Sequence, residues 1–124
     1  MSDIQIDRCD TVCSEPSSYG FTFSAEGIPL EVCPSSNVAT RAVASLAEHP
    51  LPLFVEAGVV VTINSDDPPM FSTSLNQEYE IAASLLGLDA AGVVDLARAG
   101  VGASFAPDDL KARLLGEIDA YAAG

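Results

Sequence analysis

Basic residues are scarce in this chain of 124 residues: five Lys and Arg stand against eighteen Asp and Glu, a formal net charge of −13. A surface of that sign repels phosphate backbones, so it argues against nucleic acid as a partner. The acidic residues run from Asp3 to Asp119 without bunching into a tail, and they read mainly as solvated faces. Long apolar runs are missing too; none approaches the roughly 20 residues of a membrane span. The opening "MSDIQIDRCD" has no basic start and no apolar centre, so it does not read as a signal peptide. These absences point to a soluble, cytoplasmic chain with no membrane and no nucleic-acid partner.

Cysteine and histidine are also few. Cys9, Cys13 and Cys33 make an odd count and do not suggest a secreted disulfide framework. Cys9 and Cys13 have a loose ligand-like spacing, but no second Cys or His pair completes a zinc site with them. Cys33 follows an apolar strand and reads as a small buried hydrophobe, not a nucleophile. His49 is the single histidine. Preceding a proline at the start of a helix, it is expected to cap or pack. Gly20, Gly27 and Gly58 stand alone, which excludes a phosphate-binding loop. "CPSSN" lacks the Pro-Cys-x-x-Cys order of the cytidine-type zinc deaminases.

What is present is enough apolar material, 48% of the residues, to fill one core of ordinary size. Residues 1–24 are weakly patterned, with "CSEPSSYG" as loop and "FTF" at 21–23 as a possible short strand. Pro29 to Cys33 is a strand candidate ended by Pro34 and a polar turn. "NVATRAVASLAEH" carries Val38, Val43 and Leu46 at helical spacing. "HPLPLFVEAG" adds a helical turn or two, with Gly58 in the stop position. Val59 to Ile63 is rich in β-branched residues and suits a strand covered on both faces, as in parallel sheets.

After the turn "DDPP" comes "STSLNQEYEIAASLLG". A residue at 72–74 can cap this helix, Leu75, Tyr79, Ala82, Leu85 and Leu86 form its apolar face, and Gly87 can end it. Asp89 caps a further helix, and the last opens with Pro107 in its first turn. Strand, helix, strand, helix, helix, helix is the order of an α/β fold with parallel strands.

Asp66 and Asp67 are the feature that needs an explanation. Two carboxylates directly after an apolar strand are unfavourable unless solvent, hydrogen bonds or a cation receives the charge. In parallel α/β folds the carboxyl ends of strands line the functional face. Asp-Pro is equally a common turn dipeptide, and either Asp could cap the next helix.

"EGIPLEVCPSSNVAT", "HPLPLFVEAGVVVTINSDDPPMF", "EYEIAASLLGL" and "ASFAPDDLKARLL" follow one another in an order that resembles the C-terminal portion of the adenosine deaminase family. These are zinc-dependent aminohydrolases on a TIM (β/α)8 barrel. The resemblance covers about residues 25–123 and leaves 1–24 unmatched. It implies a partial barrel: the last two βα units plus C-terminal helices, out of the about 250 residues of a complete one. It also implies that Asp66 is a metal ligand and that Asp67 hydrogen-bonds the purine of the substrate.

The family's other zinc ligands are histidines, and its general acid is a glutamate. A chain with His49 alone cannot supply that set. The expectation is therefore a truncated deaminase-like chain, as from a truncated gene or a shifted reading frame, that does not hold zinc stably and is inactive alone. Two other readings follow from the same residues. One is a subunit of a split deaminase, completed by a partner chain that brings the N-terminal barrel half and acting on a purine nucleoside or base. The other is a non-catalytic acidic module prone to self-association through its open strand edges.

Overall fold

The computed structural model describes residues 26–124. The expectations for residues 1–24, the "FTF" strand included, lie outside the described residues. Strand β1 is Leu30–Val32 and strand β2 is Val61–Ile63. They pair in parallel, with Leu30 opposite Val61 and Val32 opposite Ile63. The ladder continues into backbone bonds from Leu30 N–H to the Val60 carbonyl and from Asn64 N–H to the Val32 carbonyl, each 2.8 Å. Parallel strands need a crossover, and residues 33–60 provide it with helices α1 (Pro34–Ala39) and α2 (Leu51–Glu56).

Helix α1 corrects the expected boundary. "CPSSN" is the beginning of a helix, not a turn before one. Pro34 occupies the first helical position, where its missing N–H costs nothing. The helix stops at Ala39 because Arg41 takes a left-handed backbone, φ 61°. Beyond it only a 3-10 turn, Leu46–Glu48, interrupts irregular chain. The spacing of Val38, Val43 and Leu46 was therefore not that of one helix. Val43 reaches the interior from a bend.

Four helices follow β2: α3 (Pro68–Phe71), α4 (Leu75–Leu86), α5 (Ala90–Ala103) and α6 (Asp108–Ala122). Their starts obey capping chemistry. Ser74 accepts from Gln77 N–H and Asp89 from Gly92 N–H, each satisfying a donor the helix leaves unpaired. Gly87, at φ 63°, closes α4 in the left-handed conformation that glycine adopts without penalty. The acidic Asp108 and Asp109 sit in the first turn of α6, beside the positive end of its dipole.

All three residues of β2 are buried. Helices α4 and α5 both pack against this strand, and α6 packs on α5. Val32, Leu51, Val59, Val61, Ile63, Ala82 and Leu96 form the core. Leu51 is wholly inaccessible, and burying a leucine side chain contributes about 1.5–3 kcal/mol. Arg98 on α5 pairs with Asp95 and reaches Asp119 on α6, an exposed tie that salt screens. Among the described residues no helix is long and apolar enough to cross a membrane.

Candidate functional site at the carboxyl ends of the strands

Because β1 and β2 run in the same direction, the chain leaves both at the same end of the sheet. Cys33 and helix α1 follow β1; Asn64, Ser65, Asp66 and Asp67 follow β2. Asn64 turns its amide back to the Thr62 carbonyl and hydroxyl, at 3.2 and 2.9 Å. Asp66 takes a left-handed backbone, φ 54°, a conformation that aspartate tolerates better than most residues.

The two adjacent carboxylates then diverge. Asp66 Oδ2 accepts from the Ser36 hydroxyl at 2.7 Å, back toward α1. Asp67 Oδ1 accepts from Met70 N–H at 3.0 Å and so caps α3, which forms where a plain turn was expected. Both side chains belong to exposed residues. Solvent, one buried hydroxyl and one helix terminus therefore receive the charge that looked unfavourable after the apolar strand.

Helix α1 is the hub of the site, with three consecutive residues each held by a different element. Ser35 N–H donates to Glu78 Oε2 on α4 at 3.0 Å. Ser36 holds Asp66. The Asn37 amide oxygen pairs with His49 Nε2 at 3.1 Å. His49 Nδ1 accepts from Leu51 N–H at 3.1 Å, so Nε2 carries the proton and donates to Asn37. His49 thus packs and caps at the start of α2, as its place before a proline suggested. Burial pushes the pKa of this imidazole down, and the negative charge of Glu78 opposes the shift only in part.

Cys33 is half-buried at the same end of the sheet. Burial first, then the charges of Asp66 and Glu78, raise its thiol pKa, while a hydrogen bond with the Asp66 backbone pulls the other way. A thiol held protonated is a poor nucleophile, which matches the structural role expected for it.

Glu78 was not among the residues singled out by sequence. It is completely buried, and its second oxygen accepts from the Thr73 hydroxyl. The signal was legible in outline: Glu78 precedes Ala82 by one helical turn and so lies on the core-facing stripe of α4, where a carboxyl is out of place.

These residues do not by themselves fit a resident zinc. Among the described residues no three His, Cys, Asp or Glu side chains converge as a metal-holding group. Both nitrogens of His49 are committed within the fold. Asp66 and Asp67 offer exposed carboxylates there, and Asp67 caps α3 with one of its oxygens. A zinc site needs about four donors, so this end of the sheet supplies at most a part of one.

The family model of adenosine deaminase matches residues 21–121. The chain is 66% identical over 96 residues to the aminodeoxyfutalosine deaminase of Streptomyces coelicolor, covering 77% of this chain and 25% of that protein. It is 46% identical over 93 residues to the adenine deaminase of Sinorhizobium fredii, covering 75% of this chain and 29% of that protein. Among solved structures, adenine deaminase from Arthrobacter aurescens superposes with a TM-score of 0.77 at 38% identity, over 85% of this chain and 32% of the other. The chain therefore spans about a quarter to a third of the length of the relatives it matches. That family is zinc-dependent in general and built on the TIM barrel, of which a mixed helix–strand chain of this size is a part. From the match across residues 21–121, the chain belongs to the adenosine deaminase family.

Proposed function

We propose that this chain supplies the closing part of an aminopurine deaminase barrel, the last two βα units and the C-terminal helices, and that it does not deaminate alone. In this reading Asp66 is one ligand of a shared zinc site, and Asp67 meets the purine. The carrying observation is the state of Asp66: an exposed carboxylate at the carboxyl end of β2, oriented by the buried Ser36 hydroxyl, with no metal-holding group of three His, Cys, Asp or Glu side chains among the described residues. The sheet supports the same reading. Among the described residues it has two strands only, and a closed barrel would pair each outer edge with a further strand.

The absent ligands, the general acid and six barrel strands come from polypeptide beyond the described residues or from a partner chain. The family's zinc would supply an activated water; this chain's own contribution is to present two diverging carboxylates from a rigid strand end. For the substrate of the complete enzyme, aminodeoxyfutalosine ranks ahead of adenine. Identity to the S. coelicolor deaminase is 66%, against 46% to the S. fredii adenine deaminase over a stretch of similar length.

The test is co-expression with the portion of the S. coelicolor relative that this chain does not match. Ammonia release is followed with aminodeoxyfutalosine, adenine and adenosine. The reading predicts no release by the chain alone, release on complementation with aminodeoxyfutalosine preferred, and loss in Asp66→Ala. Turnover by the isolated chain that disappears in Asp66→Ala would overturn it.

A further inference from the structure

We propose that Glu78 is a positioning residue for Asp66, acting through helix α1. The inference rests on the reading of Asp66 as a zinc ligand. Glu78 has no exposed surface, yet both of its carboxyl oxygens are used, one by Ser35 N–H and one by the Thr73 hydroxyl. Those partners lie in different parts of the site. Ser35 is the second residue of α1, behind β1, and Thr73 follows α3, behind β2. Glu78 therefore joins the two segments that leave the carboxyl ends of the strands.

Helix α1 depends on that anchor. It has six residues, too few for a helix to hold its own shape in water. Its cap residue, Cys33, makes no side-chain capping bond. Glu78 takes the capping part from another helix and fixes where the first turn sits. One residue further on, Ser36, itself 5% exposed, donates to Asp66 at 2.7 Å. The chain of contact is short: Glu78 to the Ser35 backbone, Ser36 to Asp66.

A purely packing role would be served better by an apolar residue. Burying a carboxyl is unfavourable unless each oxygen is bonded, and a methionine would fill the same volume without that penalty. What a carboxyl adds is direction, two acceptors fixed on two donors. A shift of α1 would misplace Ser36 relative to Asp66.

The experiment uses the full chain, isotope-labelled, and reads the Asp66 carboxyl 13C resonance by NMR. Ser36→Ala calibrates the signal, since it removes the hydroxyl outright. In Glu78→Ala the Asp66 resonance is expected to move as it does in Ser36→Ala. In Glu78→Gln it returns to the wild-type position, because an amide can accept from Ser35 N–H and donate to the Thr73 oxygen. An unmoved Asp66 resonance in folded Glu78→Ala overturns the proposal.

Should Glu78→Ala fail to fold, Ser35→Pro removes the donated N–H, and with it a half-buried hydroxyl that is no part of the core. Two prolines open α3 in the same way, so the first turn accommodates them. The same two outcomes then decide. None of these readouts involves zinc or turnover. A complemented enzyme that binds zinc without Asp66 would defeat the ligand reading while the Asp66 resonance still reported on Glu78.

Discussion

Ser36 and Asp66 are separated by 30 residues of chain and by 2.7 Å between their side-chain oxygens. The hydroxyl belongs to the first strand-and-helix unit and the carboxylate to the second, so their contact records how the parallel pair is stitched at its carboxyl end. Helix α1 makes the stitch and Glu78 holds α1, which places three otherwise separate elements under one constraint.

Removing the hydroxyl should be felt modestly. Ser36→Ala is expected to destabilise the fold by about 1 kcal/mol, because Asp66 is exposed and water replaces the lost donor. Urea denaturation followed by circular dichroism measures it. A cost above about 3 kcal/mol would mean that the contact does more than orient an exposed carboxylate.

Asp67 caps α3, and the proposed function gives it a second role toward the purine; substitution can separate the two. Asp67→Ala should cost about 1 kcal/mol through loss of the α3 cap, whereas Asp67→Asn should be nearly neutral, since asparagine caps as well. In a complemented deaminase, however, Asp67→Asn is expected to raise KM for the purine, because an acceptor has been exchanged for an amide. Equal stability with unchanged kinetics in Asp67→Asn would leave Asp67 as a cap alone.

Much of this fold was readable because its signals are local. The β-branched run at 59–63 forms a strand over its last three residues, Val61–Ile63, and the Ser74 and Asp89 caps and the Gly87 stop appear where a few adjacent residues place them. The start of α1 was misread because a proline after a strand signals both a stop and a first helical position. Contacts from distant residues, that from Glu78 among them, go with the second. Glu78 itself was passed over because its two partners lie 43 and 5 residues away, a combination that no local spacing reveals. Asp66 and Asp67 stood out in sequence as an anomaly; the geometry shows where each charge goes.

The core should respond to truncation at its most enclosed point. Leu51 has no exposed surface and packs among the residues under β1 and β2. Leu51→Ala is expected to cost about 2–5 kcal/mol. In a chain with so small a sheet, that loss should appear as a large fall in the urea midpoint or as an unfolded product.

Stability should also fall mildly in weak acid because of His49. Burial holds its folded pKa below the ordinary histidine value of about 6.5, so the neutral imidazole is the form the fold prefers. The stabilisation is present above the unfolded value and is lost as pH falls from about 6.5 through the lower folded value. Protonated Nδ1 would present a proton to the Leu51 N–H that it now accepts from. Urea midpoints between pH 7.5 and pH 5 should decline in the wild type and more shallowly in His49→Gln. Parallel profiles would assign the decline to other groups.

Zinc content per chain, by elemental mass spectrometry on protein free of histidine tags and chelators, tests the central claim most directly. It should be measured for the chain alone and for the complex with the complementing portion of the S. coelicolor relative. The account predicts no stoichiometric zinc in the isolated chain, and about one zinc per complex that is lost in Asp66→Ala. Stoichiometric zinc in the isolated chain, or zinc in the complex that persists in Asp66→Ala, would contradict it.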